Sequence, residues 1–241
     1  MADKSLAKAL RRKMGLDEGI LREVETKRGE LSLLMNPSRR RIFEFICNYP
    51  CSHLRAISRE VGLSTQSARW HINKLKEGGL ISESQDGSKK IYRPLKNIFM
   101  PDECSVFCLL SKENTRNTYL AIEAKPKITQ SDLCKILGTY QQILSRDLLS
   151  LENAGIISYK KIGRKKAYFA TEKIRELEED LDARSKTFER ALIDALKGDS
   201  LNPKVESSDE NILQISLDID REEKPVLKIP KNPLKVLLRG G

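Results

Sequence analysis

The stretch Leu63–Leu95 reads "LSTQSARWHINKLKEGGLISESQDGSKKIYRPL", and its reading decides the fold. Ser64 is a natural N-cap, because its hydroxyl accepts from an amide that the first helical turn leaves unpaired. From Thr65 the apolar residues recur at helical spacing. Ala68, Ile72 and Leu75 fall on one face, and Gly78-Gly79 end the run. At about 100° per residue, Gln66, Arg69, Trp70 and Asn73 point the other way, with Ser67 and Lys74 at the margins. The period then drops to two. "LISES", a turn at Asp86-Gly87 and "KKIYRPL" predict a hairpin whose tip carries Lys89 and Lys90.

Upstream, Pro37 opens a helix through "SRRRIFEFICN", with Ile42, Phe45 and Ile46 on one face. Pro50 stops it. "SHLRAISREVG" predicts a second helix with Leu54, Ile57 and Val61 inward and Gly62 as the turn. The predicted order is helix, helix, turn, helix, hairpin. Sliding the chain by 76 residues reproduces that order without a gap. Pro50 falls on Pro126, Gly62 on Gly138, Leu75 on Leu151 and Gly79 on Gly155. The hairpin "QDGSKKIYRP" falls on "KIGRKKAYFA", with Gly87, Lys89, Lys90 and Tyr92 over Gly163, Lys165, Lys166 and Tyr168. Two copies of one small domain are the simplest account.

The 241 residues carry 44 Lys+Arg against 34 Asp+Glu, a formal +10. Residues 36–100 hold +7 of this and residues 101–171 hold +4, so the positive charge lies on the segments that end in basic hairpins. That placement suits a polyanion. No apolar run approaches the ~18 residues of a membrane helix, and the first residues lack the apolar core of a secretory signal. A cytoplasmic protein without membrane attachment is expected. Five cysteines in such a chain argue against a disulfide framework.

"LSTQSARWHINKLKEGGLIS" followed by a glycine-tipped basic hairpin resembles the winged helix-turn-helix regulators of the broad ArsR/MarR-like group. The duplication resembles archaeal tandem winged-helix transcription regulators. The resemblance covers residues 36–171. It implies a mainly α fold with small β wings: two consecutive winged helix-turn-helix domains plus a C-terminal helix and short tail. The expected organisation is a helical extension over 1–35, winged-helix domains at 36–100 and 101–171, a long helix at 172–197, and a linker with tail at 198–241. The implied function is sequence-specific binding of double-stranded DNA to regulate transcription, with no enzymatic activity, cofactor or metal. The implied partners are DNA, a second copy in a homodimer, and the basal transcription machinery.

The residue types fit that chemistry. Gln66 and Asn73 suit paired hydrogen bonds to adenine, and Arg69 suits guanine; each such pair discriminates by about 1–3 kcal/mol. Thr65, Ser67 and Lys74 suit phosphates around the helix. Lys89, Lys90 and Arg93 on the first hairpin, and Arg164, Lys165 and Lys166 on the second, would supply charge without sequence information. Trp70 faces outward and suits either DNA or packing on a wing or neighbour, while His71 reads as structural. Arg39, Arg40 and Arg41 fit phosphate contact or a solvated helix start.

In the second copy Gln141, Gln142, Ser145 and Arg146 occupy the outward face. Leu149 stands there where the first copy has Asn73, and Asp147 reads as a neighbour on that face. An outward leucine suits a protein contact, so the first copy is favoured as the sequence reader. Residues 172–197 show 3-4 spacing through Ile174, Leu177, Leu181, Phe188, Ala191 and Ala195, broken by Arg184. This stripe predicts either a dimerisation helix or one folded on its own domain.

Two other functions are open. Cys47, Cys51 and His53 in "CNYPCSH", with Cys104 and Cys108 four apart in "ECSVFC", fit a metal- or thiol-responsive regulator. The other is a winged-helix protein-interaction module of the transcription machinery. No phosphate loop or nucleophile elbow occurs, and two histidines support no His-based catalytic set.

Overall fold

A computed structural model of the chain describes residues 32–95, 99–199, 201–208, 211–218 and 224–239. Most of the expected N-terminal extension, with "KSLAKALRRKM" and "EGILREVETK", lies outside the described residues.

Asn36 accepts from the Arg39 amide at 3.1 Å and Pro37 takes the first helical position, which starts α1 (Pro37–Asn48). β1 (Ser52–His53), α2 (Leu54–Glu60) and α3 (Thr65–Glu77) follow, α3 capped by Ser64 on the Ser67 amide at 3.1 Å. β2 (Ile81–Asp86) and β3 (Lys89–Pro94) close a hairpin with Asp86 opposite Lys89. The turn residues are therefore Gly87-Ser88, one step beyond the expected pair. Gly87 takes φ +58°, as a primed hairpin turn requires. β1 adds to the far side of β3, giving the order β1-β3-β2.

The same order returns in α4 (Pro101–Leu110), α5 (Glu113–Ala124), β4 (Ile128–Thr129), α6 (Gln130–Leu137), α7 (Gln141–Asn153), β5 (Ile157–Ile162) and β6 (Lys165–Ala170), α4 being the link. The second sheet runs β4-β6-β5. Its register keeps the offset of 76: Ser52 faces Tyr92 and Ile128 faces Tyr168. Backbone contacts repeat as well. The Leu95 amide bonds the Leu80 carbonyl at 3.0 Å, and the Thr171 amide bonds that of Ile156 at 3.0 Å.

α8 (Lys173–Gly198) crosses both repeats. Ile174, Leu177 and Leu181 enter the second repeat's core, and Phe188, Leu192 and Leu196 enter the first. The stripe thus continues through Leu192 and Leu196, while Ala191 and Ala195 stay half-buried. Arg184, which interrupts it, forms an ion pair with Glu103 of α4. A charged residue fits this seam because a carboxylate meets it. The apolar face is spent inside the chain and offers no seam to a second α8.

Residues 198–241 correct the expectation of a linker and short tail, except over "NILQISLDID", whose alternation predicts the strand found there. β7 (Asn202–Ser208), β8 (Ile212–Asp218) and β9 (Val226–Pro230) form an antiparallel sheet in the order β7-β8-β9. Leu213, Ile215, Leu217, Leu227 and Ile229 bury in the first repeat's core. α9 (Pro233–Arg239) returns to the second core through Leu234 and Leu237. Buried Asn232 donates to the Glu178 carbonyl at 3.0 Å and to Asp182 at 2.9 Å, pinning α9 to α8. The Asp199 carboxylate at the end of α8 accepts from the Ser32 hydroxyl at 2.7 Å and the Leu33 amide at 2.9 Å.

Further side chains differ from expectation. Phe43, not Phe45, is the buried aromatic of α1; Phe45 stacks on Tyr49 at 5.0 Å. Arg39 and Arg40 turn back onto the carbonyls of Leu33 (2.6 Å) and Leu34 (3.3 Å). Asp147 is buried beside the Thr115 hydroxyl at 3.5 Å, off the outward face of α7. Among the described residues no helix is long and apolar enough to cross a membrane.

Candidate nucleic-acid interface

The outward side of α3 and the first hairpin enclose an open groove of about 930 Å³. Thr65, Arg69 and Asn73 line it at four-residue spacing, one stripe of α3. Lys89, Lys90, Ser88 and Gln85 line it from the hairpin. Arg55 and Arg59, one turn apart on α2, complete the wall. Sequence reading missed these two arginines. Their signal was an exposed i, i+4 basic pair on the helix preceding the turn. Five cations thus border the groove, and Glu83 is the acid among its lining residues.

Glu83 has a structural task. It binds Lys76 at 2.6 Å and Lys90 at 2.7 Å. Hydrogen bonds from Lys76 and then Lys90 hold its carboxyl below the usual range, and Lys90 is raised in return. The bridge orients Lys90 without burying it, so its charge stays at the groove edge. At this exposure the pair adds little to stability.

The other expected residues distribute as follows. Gln66 and Trp70 are exposed on α3 outside the groove, Trp70 at 55%. Trp70 packs edge-on against His71 at 4.9 Å. Burial, and then the Arg39 charge, lowers the His71 pKa. Ser67 is tied to Ser64 through both hydroxyls at 2.9 Å. Lys74 pairs with Glu77 at 2.8 Å. Arg93 departs from the expected rim position. It donates to the Ser82 hydroxyl at 3.2 Å and the Phe99 carbonyl at 2.9 Å, pointing back toward α4.

In the second repeat, Gln142, Arg146, Arg164 and Lys165 are exposed. The Gln141 carbonyl accepts from Ser145, whose hydroxyl accepts from Gln130 at 2.7 Å, so this end of α7 is fastened to α6. Lys166 sits 3.7 Å over the Tyr159 ring and 3.6 Å from Glu152. These three occupy the places of Lys90, Glu83 and Lys76 at the 76-residue offset. The bridging carboxylate of the first repeat has become a ring.

That change belongs to a pattern. Ile136, Tyr140, Ile143, Leu149 and Ile162 are all exposed, from 37% at Ile143 to 80% at Tyr140. Their counterparts in the first repeat are Glu60, Ser64, Ser67, Asn73 and Asp86. One repeat presents polar groups and the other presents apolar ones on the same backbone positions.

The cysteines do not assemble as a Cys-Cys-His set. Cys47 is buried in the first core, and burial pushes its thiol up. His53 Nδ1 lies 3.2 Å from the Lys90 carbonyl. Cys51 turns toward α4. Among the described residues no group of three His, Cys, Asp or Glu side chains is arranged to hold a metal ion.

Comparisons with known proteins follow this geometry. A family model described as winged helix-turn-helix DNA-binding matches residues 35–82, which run from the start of α1 into β2. An uncharacterised HTH-type transcriptional regulator of Methanocaldococcus jannaschii is 27% identical over 145 residues, 60% of this chain. The match spans 36% of that relative's length. An ArsR-like transcriptional regulator from Rhodococcus is 22% identical, with a TM-score of 0.36 over 40% of this chain and 91% of that one. The homodimeric winged helix-turn-helix DNA-binding domain of a Mycobacterium bovis protein is also 22% identical, with a TM-score of 0.27 over 40% and 83%. Over residues 35–82 the chain is similar to winged helix-turn-helix DNA-binding proteins.

Proposed function

We propose that the chain is a transcriptional regulator built from tandem winged helices, and that the first grips and reads double-stranded DNA. The carrying observation is the groove where Arg55, Arg59, Arg69, Lys89 and Lys90 converge beside the outward stripe of α3. A duplex edge seated on α3 meets Arg69 and Asn73 as base readers, with Gln66 next to them. Thr65 and the lysines take the phosphates. Arg93 is bound inside the protein and does not belong to this set.

The test is binding to random duplex DNA across a salt series. Four cation–phosphate contacts, from Arg55, Arg59, Lys89 and Lys90, imply a slope of about −3 to −4 in log K against log salt. No binding at low salt, or a flat slope, would defeat the reading.

The apolar substitutions on the second repeat favour a different role for α7. Contiguous exposed apolar side chains mark protein contact surfaces, and Arg164 and Lys165 leave its wing able to touch phosphate beside that surface. We assign the α7 face to a second copy of the chain, giving a homodimer with paired half-sites. Ile143→Glu with Leu149→Glu should convert the dimer to monomer in light scattering and leave the first repeat folded. A wild-type chain that is monomeric at tens of micromolar would contradict this and turn attention to the basal transcription machinery as occupant.

A further inference from the structure

Cys51, Cys104 and Cys108 meet where the first repeat's sheet packs on α4. Cys104 and Cys108 are one turn apart on that helix, in one buried cluster with Cys51, whose thiol donates to Cys104. Cys108 Sγ lies 3.4 Å from the Cys51 carbonyl and donates to it. The Arg93 guanidinium lies 3.5 Å from Cys104 Sγ. A cavity of about 90 Å³ opens onto Cys104, Cys108 and Arg93, bounded by Ser84 and exposed Ser105. A water takes roughly 30 Å³ of liquid, so the cavity admits a molecule the size of hydrogen peroxide.

Buried cysteines are usually inert, small apolar residues. This cluster differs in its charge. The hydrogen bond from Cys51, and then the Arg93 charge, bring the Cys104 thiol down to about 7 against its burial. Contacts with Cys104 and then Cys108, together with burial, push the Cys51 thiol far up, so it stays protonated as the donor. The guanidinium also disfavours a metal cation, since its own positive charge sits against the sulfur that would bind one.

We infer that Cys104, positioned by Arg93, is a peroxide-reactive cysteine and that Cys51 closes a reversible disulfide with it. The Cys104 sulfur attacks one oxygen of hydrogen peroxide; the S–O bond forms, the O–O bond breaks, and hydroxide leaves to become water. Cys51 gives up its proton, and its sulfur attacks Cys104; the S–S bond forms, the S–O bond breaks, and a second water leaves. Two thiols lose two electrons and two protons in total, and one peroxide becomes two waters.

The disulfide bears on the first wing. Cys51 immediately precedes β1, whose Ser52 and His53 pair with Tyr92 and Ile91 of β3. Oxidation also removes the thiolate that Arg93 of β3 faces. The strand carrying Lys89 and Lys90 into the groove is therefore held by the same two residues that change. This consequence rests on the DNA-binding reading; the thiol chemistry does not.

The experiment treats the reduced full chain with a few equivalents of hydrogen peroxide, alkylates remaining thiols, and maps peptides by mass. A Cys51–Cys104 linkage that dithiothreitol reverses is expected. It should persist in Cys47→Ser and Cys134→Ser. In Cys51→Ser, dimedone should trap a sulfenic acid on Cys104. Unreacted Cys51 and Cys104 would overturn the proposal, as would a Cys104–Cys108 pairing in the wild-type chain, which needs no variant to detect. Oxidised and reduced samples should differ at least fivefold in affinity for random duplex DNA at one salt concentration. Equal affinities would overturn the link to the wing. Absence of binding in both states would sink the DNA-binding reading and that link with it, while the mapped peptides still decide the thiol chemistry.

Discussion

Replacing Arg55, Arg59 and Lys89 together by alanine is expected to lower affinity for random duplex DNA by about 10²–10³-fold at 0.1 M salt. Each neutralised phosphate contact removes about 0.9 from the salt slope. Three contacts are then worth close to three powers of ten per tenfold dilution of salt. The slope itself should flatten by about 2.7. All three side chains are exposed in the groove wall, none is buried in either core, and fold stability should hold. The effect should be alike for every sequence, because phosphates carry no base identity. Arg69→Ala should behave differently. It should erase discrimination at one base pair by about 1–3 kcal/mol while leaving the preference elsewhere intact. If the triple variant changed sequence preference and Arg69→Ala changed only overall affinity, the division between gripping and reading would be wrong.

Deleting residues 201–241 is expected to cost the chain its cooperative fold. Leu213, Ile215, Leu217, Leu227 and Ile229 are buried in the first core, and Leu234 and Leu237 in the second. Burying one such side chain contributes about 1.5–3 kcal/mol. Seven of them contribute about 6–19 kcal/mol after discounting for a compact unfolded state, as much as the roughly 5–15 kcal/mol by which native proteins are stable. A thermal melt followed by circular dichroism checks this. A linker and mobile tail would leave the midpoint unchanged. The milder Ile215→Ala should cost about 2–5 kcal/mol and keep a sharp, earlier transition.

The repeated helices and hairpins were legible because their signals are local. Ser64, Gly87 and the apolar period of α3 each act within a few residues of where they stand. The C-terminal sheet was legible only in part: "NILQISLDID" alternates and forms β8, whereas β7 is exposed along nearly its whole length and shows no alternation. The three prolines of "KPVLKIPKNPLKVLLRGG" suit an extended or mobile segment, and two of them close β9 and open α9. The stripe of α8 was visible, but its partner was not. An amphipathic helix states that a face is covered and not by what, and here both repeats cover it.

Within the site, strand alternation held the answer for Arg93. It shares a face with buried Ile91, two residues away, so it points toward α4 while Lys90 and Tyr92 point the other way. Asp147 likewise lies among Leu144, Leu148 and Leu151 on the helical wheel of α7. Arg55 and Arg59 are marked in the sequence only by their i, i+4 spacing, which a solvated helix face shows equally well. The groove needs a third wall, and α2 supplies it. The meeting of Cys51 with Cys104 spans 53 positions and depends on how the first sheet lies on α4. No spacing within either segment encodes that.

Photo-crosslinking to bromodeoxyuridine-substituted duplex DNA, with the linked peptides identified by mass, tests most directly whether the first repeat holds nucleic acid. The adducts should fall within Thr65–Asn73 of α3 and Glu83–Lys90 of the first hairpin, with fewer on Arg164 and Lys165. Adducts confined to the α7 face around Ile143 and Leu149, or none on either α3 or its hairpin, would contradict the account.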